Sequence, residues 1–239
     1  MQRIASIFAH GKPHDDVLPR LATLAAEVRA LGDWSRGYVA ASTLVRHRDG
    51  RGQPVMVLPG FLSSDGATRT LRRTLNHAGY QAYGWGQGRN LGVRSDILDR
   101  LDARLDSIAG KGAGRVTLIG WSLGGLYARE YAKHRPDRVA KVITMGSPFS
   151  GDPRANHAWR LYELIARHPV DAPPIKVNLA EKPPVPTIAL WSRLDGIVGP
   201  RAARGRPSES DHAIEVACRH LGFTSAPDAL EAVLDALER

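Results

Sequence analysis

Cysteine is almost absent. Cys218 stands alone in 239 residues, which excludes an internal disulfide framework; as a lone thiol with no strand-to-helix corner beside it, it reads as a small buried apolar residue. No apolar run approaches the roughly 20 residues a membrane-crossing helix needs, and the opening MQRIASIFAHGKPHDD breaks its few apolar residues with charge and proline. That start is too short for a secretory signal core, so the expectation is a cytoplasmic protein. There is no HExxH and no Cys/His cluster, which argues against a metal hydrolase; no metal and no cofactor are expected. Acidic residues are outnumbered, 24 against 33 basic, for a net charge of +9. Such a balance suits anionic partners, but the arginines (Arg69, Arg72, Arg73, Arg94, Arg100, Arg201, Arg204, Arg206) are scattered and no aromatic stripe runs between them. A solvated basic surface with no specific nucleic-acid partner is the preferred reading, and peripheral contact with anionic lipid is the alternative. The sequence leaves the oligomeric state open.

What the chain does contain is a repeated alternation of short apolar runs with amphipathic stretches. Val55–Leu58, Gln81–Trp85, Val116–Ile119, Val139–Met145, Thr187–Trp191 and Ala213–Ala217 read as strands. Helical patterns follow over 65–78, capped by Ser64 or Asp65, then over 93–109, 123–135 and from Pro227 onward. This spacing predicts an α/β protein with a mainly parallel sheet of about six strands and helices on both faces. Residues 1–53 form an N-terminal helical segment, with Val17, Leu21, Leu24, Val28 and Leu31 on one face for packing on the core, and 54–239 form the main domain. Residues 150–185, rich in proline, have the length of a lid inserted over the sheet edge. Two glycine-rich stretches mislead. GWGQGRNLG (84–92) lacks the spacing of a dinucleotide fingerprint and reads as a flexible edge loop, while GKGAG (110–114) precedes a strand and reads as a turn.

The organising stretch is GRVTLIGWSLGGLYAREYAKHRP, 114–136. A buried strand turns at once into a helix, with Gly120-Trp121-Ser122-Leu123-Gly124 at the corner. That geometry pushes the corner serine above the sheet edge in front of a helix N-terminus. Ser122 is the candidate nucleophile; its competing reading is an ordinary helix N-cap serine. A nucleophilic serine needs a base and an acid that orients the base. Asp195 and His220 fall, like Phe61 and Ser122, in loops after predicted strands, where active-site groups of such sheets belong. Asp195 could instead be a turn aspartate before Gly196, with Asp211 and Asp152 as lesser alternatives. His212 is the rival base, but it enters the last strand where His220 leaves it.

With the order Ser122, Asp195, His220 in place, the sequence resembles the α/β-hydrolase family, most nearly its bacterial lipases and carboxylesterases, over about 54–239. The resemblance makes PGF (59–61) the oxyanion loop, with Pro59-Gly60 in place of the usual His-Gly, and assigns the oxyanion N–H groups to Phe61 and Leu123. GSP (146–148), SRLDG (192–196) and RHLG (219–222) also resemble lipase segments. It implies a serine hydrolase of carboxylic esters acting on a small-molecule or lipid ester. Thioesterase or acyltransferase activity would use the same groups, and a non-catalytic binder of anionic surfaces is the alternative from another class. Trp159, Leu161, Leu164 and Ile165 are expected to line an acyl pocket beneath the lid, or else to be plain core.

Overall fold

The computed structural model describes residues 27, 44–109, 114–151 and 178–239. The expected helical segment 1–53 and the lid, with Trp159, Leu161, Leu164, Ile165 and Asp152, therefore lie largely or wholly outside the described residues. In chain order the described elements are β1 (Pro54–Leu58), α1 (Arg69–His77), β2 (Gln81–Gly84), α2 (Ile97–Ala109), β3 (Val116–Trp121), α3 (Leu123–His134), β4 (Val139–Met145), β5 (Thr187–Trp191), α4 (Pro200–Arg204), β6 (His212–Glu215) and α5 (Pro227–Glu238). The strands form one sheet in the order β2-β1-β3-β4-β5-β6, and every neighbouring pair is parallel.

Parallel strands need crossovers, and the crossover helices cover both faces of the sheet. Side chains alternate along each strand accordingly. Val55, Val57, Ile119, Ile143, Met145 and Leu190 face one side, where Leu71 and Leu75 of α1 and Leu230, Val233 and Leu234 of α5 bury them. Met56, Leu58, Leu118 and Val142 face the other, against Ile97, Leu101 and Leu105 of α2 and Tyr127, Ala128 and Tyr131 of α3. Each such leucine, buried completely, contributes roughly 1.5–3 kcal/mol of transfer free energy. β5 also carries α4, through Trp191 against Val198, Ala202 and Ala203.

Helix α2 starts at Ile97 rather than 93, and two further local expectations are corrected. Helix α1 starts at Arg69, later than 65, because the Asp65 carboxylate accepts hydrogen bonds from the Trp85 and Gly86 N–H groups at 3.0 and 3.1 Å and so does not cap the helix. Strand β6 runs from His212 to Glu215 rather than to Ala217, since its partner β5 ends at Trp191, opposite Glu215. All the strands point the same way, so their carboxyl ends gather on one edge of the sheet, and the site is built there.

Candidate active site

At that edge β3 passes straight into α3, and Ser122 takes the corner with φ 54° and ψ −121°. A non-glycine residue held at such angles costs about 1–3 kcal/mol, so its surroundings must impose them. Ser122 N–H donates to the Met145 carbonyl on β4 at 2.9 Å, and its own carbonyl accepts from Gly125 N–H at 3.0 Å. The flanking glycines let three backbones close around it. A Cβ on Gly120 would overlap the backbone of Gly124 and Gly125, and one on Gly124 would overlap the carbonyls of Leu58 and Pro59. Although it stands at the N-cap position, Ser122 makes no side-chain capping bond. The hydroxyl is thus not consumed by the helix, which decides against the capping alternative. Behind it, Leu123 N–H occupies the first helical position, where no carbonyl a turn earlier can reach it, and the helix dipole is positive.

The Pro59–Leu62 turn runs beside the serine, since a Cβ on Gly60 would sit 3.2 Å from Ser122 Cβ. Asn90, 1% exposed, holds that turn from the 84–92 loop. Its Nδ2 donates to the Pro59 carbonyl at 2.9 Å, and its Oδ1 accepts from the Tyr127 hydroxyl at 3.1 Å. Its backbone carbonyl accepts from Leu62 N–H at 2.7 Å, and its N–H donates to the Ser63 carbonyl at 2.8 Å. The loop expected to be a flexible edge is therefore a clamp on the turn that carries Phe61.

Asp195 lies just past β5 and His220 just past β6, 2% and 3% exposed. Asp195 Oδ2 is 2.7 Å from His220 Nδ1, while Oδ1 accepts from Ile197 and Val198 N–H at 2.8 Å each. A carboxylate only accepts, so Nδ1 carries the proton and Nε2 is left as the basic nitrogen. Burial by itself lowers the imidazole pKa; the charge and hydrogen bond of Asp195, with a further contribution from Glu27, outweigh it and raise the pKa above its ordinary value. Trp121, the residue before Ser122, donates from Nε1 to the His220 carbonyl at 3.0 Å, and its ring lies 5.8 Å from the imidazole. The histidine is thereby tied to the strand that delivers the serine. Ser192 joins the loops again, donating to the Cys218 carbonyl at 2.6 Å.

Two of the other candidates sit at the opposite edge of the sheet. His212 opens β6 and is exposed; Asp211 accepts from Thr187 N–H at 2.8 Å and pairs with Lys182 at 3.0 Å, at the amino ends of the strands. Cys218 is buried and in no disulfide. Among the described residues there is no cluster of three metal-ligating side chains and no helix long and apolar enough to cross a membrane.

A family model described as the alpha/beta hydrolase fold matches residues 53–172, the region that holds β1, the Pro59–Leu62 turn and the serine corner. The chain belongs to the α/β-hydrolase family. It is 37% identical over 62 residues to a biotin-biosynthesis bifunctional protein of Teredinibacter turnerae, a match covering 26% of this chain and 10% of that protein. It is 33% identical over 106 residues to a 2-hydroxy-6-oxononadienedioate/2-hydroxy-6-oxononatrienedioate hydrolase of Burkholderia vietnamiensis, covering 39% of this chain and 36% of the relative. These matches therefore span only small parts of both relatives. A Bacillus licheniformis lipase structure superposes with a TM-score of 0.60 at 16% identity, over 81% of this chain and 95% of the lipase; at that identity the likeness is one of fold.

Two residues of this α/β-hydrolase site escaped the sequence reading. Asn90 lies in a glycine-rich stretch that reads as a loop. Glu27, 5% exposed, accepts hydrogen bonds from Gly196, His220 and Leu221 N–H at 2.8, 3.0 and 3.1 Å. Nothing local in the sequence marks either one.

Proposed function

We propose that this α/β-hydrolase cleaves carboxylic esters through an acyl-enzyme on Ser122. Ser122 Oγ attacks the ester carbonyl carbon while its proton passes to His220 Nε2, and Asp195 holds Nδ1 and stabilises the imidazolium. Negative charge builds on the former carbonyl oxygen. Leu123 N–H and Phe61 N–H are the assigned donors for it, the kind of preorganised stabilisation that often supplies the largest catalytic contribution. When the intermediate collapses, the C–O bond to the alcohol breaks and His220 returns the proton to the departing oxygen. Water, deprotonated by His220, then attacks the acyl carbon; Ser122 regains its proton and the acid leaves. No cofactor takes part in these steps.

The observation that carries the reading is the corner itself: a serine at φ 54° with no capping bond, on the same sheet edge as a buried His–Asp pair 2.7 Å apart. Strain of this kind is kept where surroundings enforce it, most often at functional sites. The test is reaction with a fluorophosphonate probe together with hydrolysis of aryl esters of graded acyl length. Ser122→Ala, still folded by circular dichroism, is expected to lose labelling and to lose roughly 10⁴–10⁶ in turnover. Labelling at another residue, or an alanine variant that retains activity, overturns the mechanism.

A further inference from the structure

The hydrolytic reading uses Asp195, His220 and Ser122 and leaves the buried Glu27 without a task. Glu27 lies 169 residues before Gly196 and 193 before His220, yet its carboxylate sits between the two loops that carry the acid and the base. Oε1 accepts from both Gly196 and His220 N–H, and Oε2 accepts from Leu221 N–H. One oxygen thus bridges the residue after Asp195 and the backbone of His220 itself. Burying a carboxylate is costly unless its lone pairs are satisfied, and three backbone donors do so here.

We propose that Glu27 is a positioning residue of the active site: a buried carboxylate that fixes the Asp195 loop against the His220 loop through their backbone N–H groups. The inference rests on the esterase reading for its mechanism, though its geometry does not depend on the substrate. Asp195 and His220 come from different strands, so their 2.7 Å contact is set by how two loops lie against each other. A displacement of about 1 Å at such a contact can cost roughly 10²-fold in rate. Gly196 is adjacent to Asp195, so a shared acceptor for Gly196 and His220 acts on that separation directly. Asp195 and Glu27 are also the two carboxylates whose charges act on the imidazole, and Trp121 and Phe223 supply its ring contacts.

The substitutions separate bridging from charge. Glu27→Gln retains one oxygen that can bridge Gly196 and His220, removes the charge, and turns an amide N–H₂ toward the Leu221 donor. Glu27→Asp keeps the charge but shortens the reach; Glu27→Ala removes both. The readout is the rate constant of Ser122 labelling by a fluorophosphonate as a function of pH, which requires no knowledge of the natural ester. Glu27→Ala is expected to label about 10–100-fold more slowly than wild type. Glu27→Gln is expected to lose less rate and to shift its acid limb to lower pH, because a cationic imidazole is then less favoured. Glu27→Asp is expected to restore the wild-type acid limb without the full rate. Wild-type rate and wild-type pH profile in folded Glu27→Gln and Glu27→Ala overturn the positioning role. So does a Glu27→Gln variant that cannot fold, since the carboxylate is then structural. Wild-type protein that does not label at Ser122 overturns the hydrolase reading instead, so the two failures are distinct.

Discussion

Asn90→Ala offers a test of whether the turn carrying Phe61 must be held for turnover. The substitution leaves both backbone bonds of position 90, to Leu62 and Ser63, available. It removes the Nδ2 donor 2.9 Å from the Pro59 carbonyl and the Oδ1 acceptor of the Gly92 N–H at 3.3 Å and the Tyr127 hydroxyl at 3.1 Å. A buried polar group deprived of its partner costs about 1–3 kcal/mol. Two such losses at the low end, at the Pro59 carbonyl and the Gly92 N–H, with each kcal/mol worth about 2–4 °C in a domain of this size, predict a fall in Tm of about 4–8 °C. Because Phe61 follows Pro59 by two residues, the freed turn also loosens a proposed oxyanion donor. Complete loss of one such donor costs roughly 10²–10³ in kcat; with the backbone bonds kept, the expected loss is nearer 10-fold, with KM little changed because the interaction forms in the transition state. Steady-state hydrolysis of a soluble aryl ester, measured well below the Tm of the variant, reads both parameters. The control is Asn76→Ala, which removes an acceptor for Ala82 N–H at 2.8 Å on α1; it should lower Tm without changing kcat. If Asn90→Ala keeps the wild-type kcat, or if Asn76→Ala loses as much, the reasoning is refuted.

The two histidines separate by position: His220→Ala is expected to abolish turnover and His212→Ala to leave it within a few-fold of wild type, with the reverse result moving the base to the amino end of β6. Asp195→Asn should disable the enzyme less completely than His220→Ala, since removal of the orienting carboxylate leaves nucleophile and oxyanion donors in place. The base must be neutral to accept a proton, and its pKa is raised, so kcat/KM should fall off on the acid side with an apparent pKa above the ordinary imidazole value of about 6.5. By linkage, the stability this pair contributes is fully present below the unfolded pKa and declines as pH rises through the higher folded one; a Tm difference between wild type and His220→Gln that grows toward alkaline pH contradicts this. Gly124→Ala should cost about 1–3 kcal/mol of stability, read by denaturant titration, because its Cβ meets the Leu58 and Pro59 carbonyls, which cannot rotate away as a side chain can; an unchanged midpoint would show that the turn moves freely.

What was legible in the sequence is what consecutive residues determine. The serine corner needs only a strand, a helix and glycines at 120, 124 and 125, and these lie within a few positions of Ser122. The placement of Asp195 and His220 followed from strand ends, which parallel topology gathers on one edge. Boundaries were less legible where a side chain had a distant use. Asp65 resembled a cap until the Trp85 and Gly86 N–H groups appeared beside it, and β6 ends where β5 does rather than where its apolar pattern does.

Glu27 and Asn90 were illegible for a sharper reason. Each holds the site through the peptide groups of residues far away in sequence: Gly196, His220 and Leu221 for one, Pro59 and Leu62 for the other. A peptide N–H or carbonyl is offered by nearly every residue type, so its use leaves no mark on the sequence at the receiving end. At the giving end, a glutamate within a helical pattern and an asparagine in a glycine-rich loop both have commoner solvent-exposed explanations. Only burial separates the two readings, and burial is a property of the assembled fold. Glu27 also precedes residues 53–172, where the family model matches. The corner that holds Ser122 at φ 54° is therefore specified locally, while the loops of the proposed acid and base are bridged by a carboxylate from the preceding segment. Loss of Glu27 should accordingly slow the reaction of Ser122 while leaving the corner itself intact.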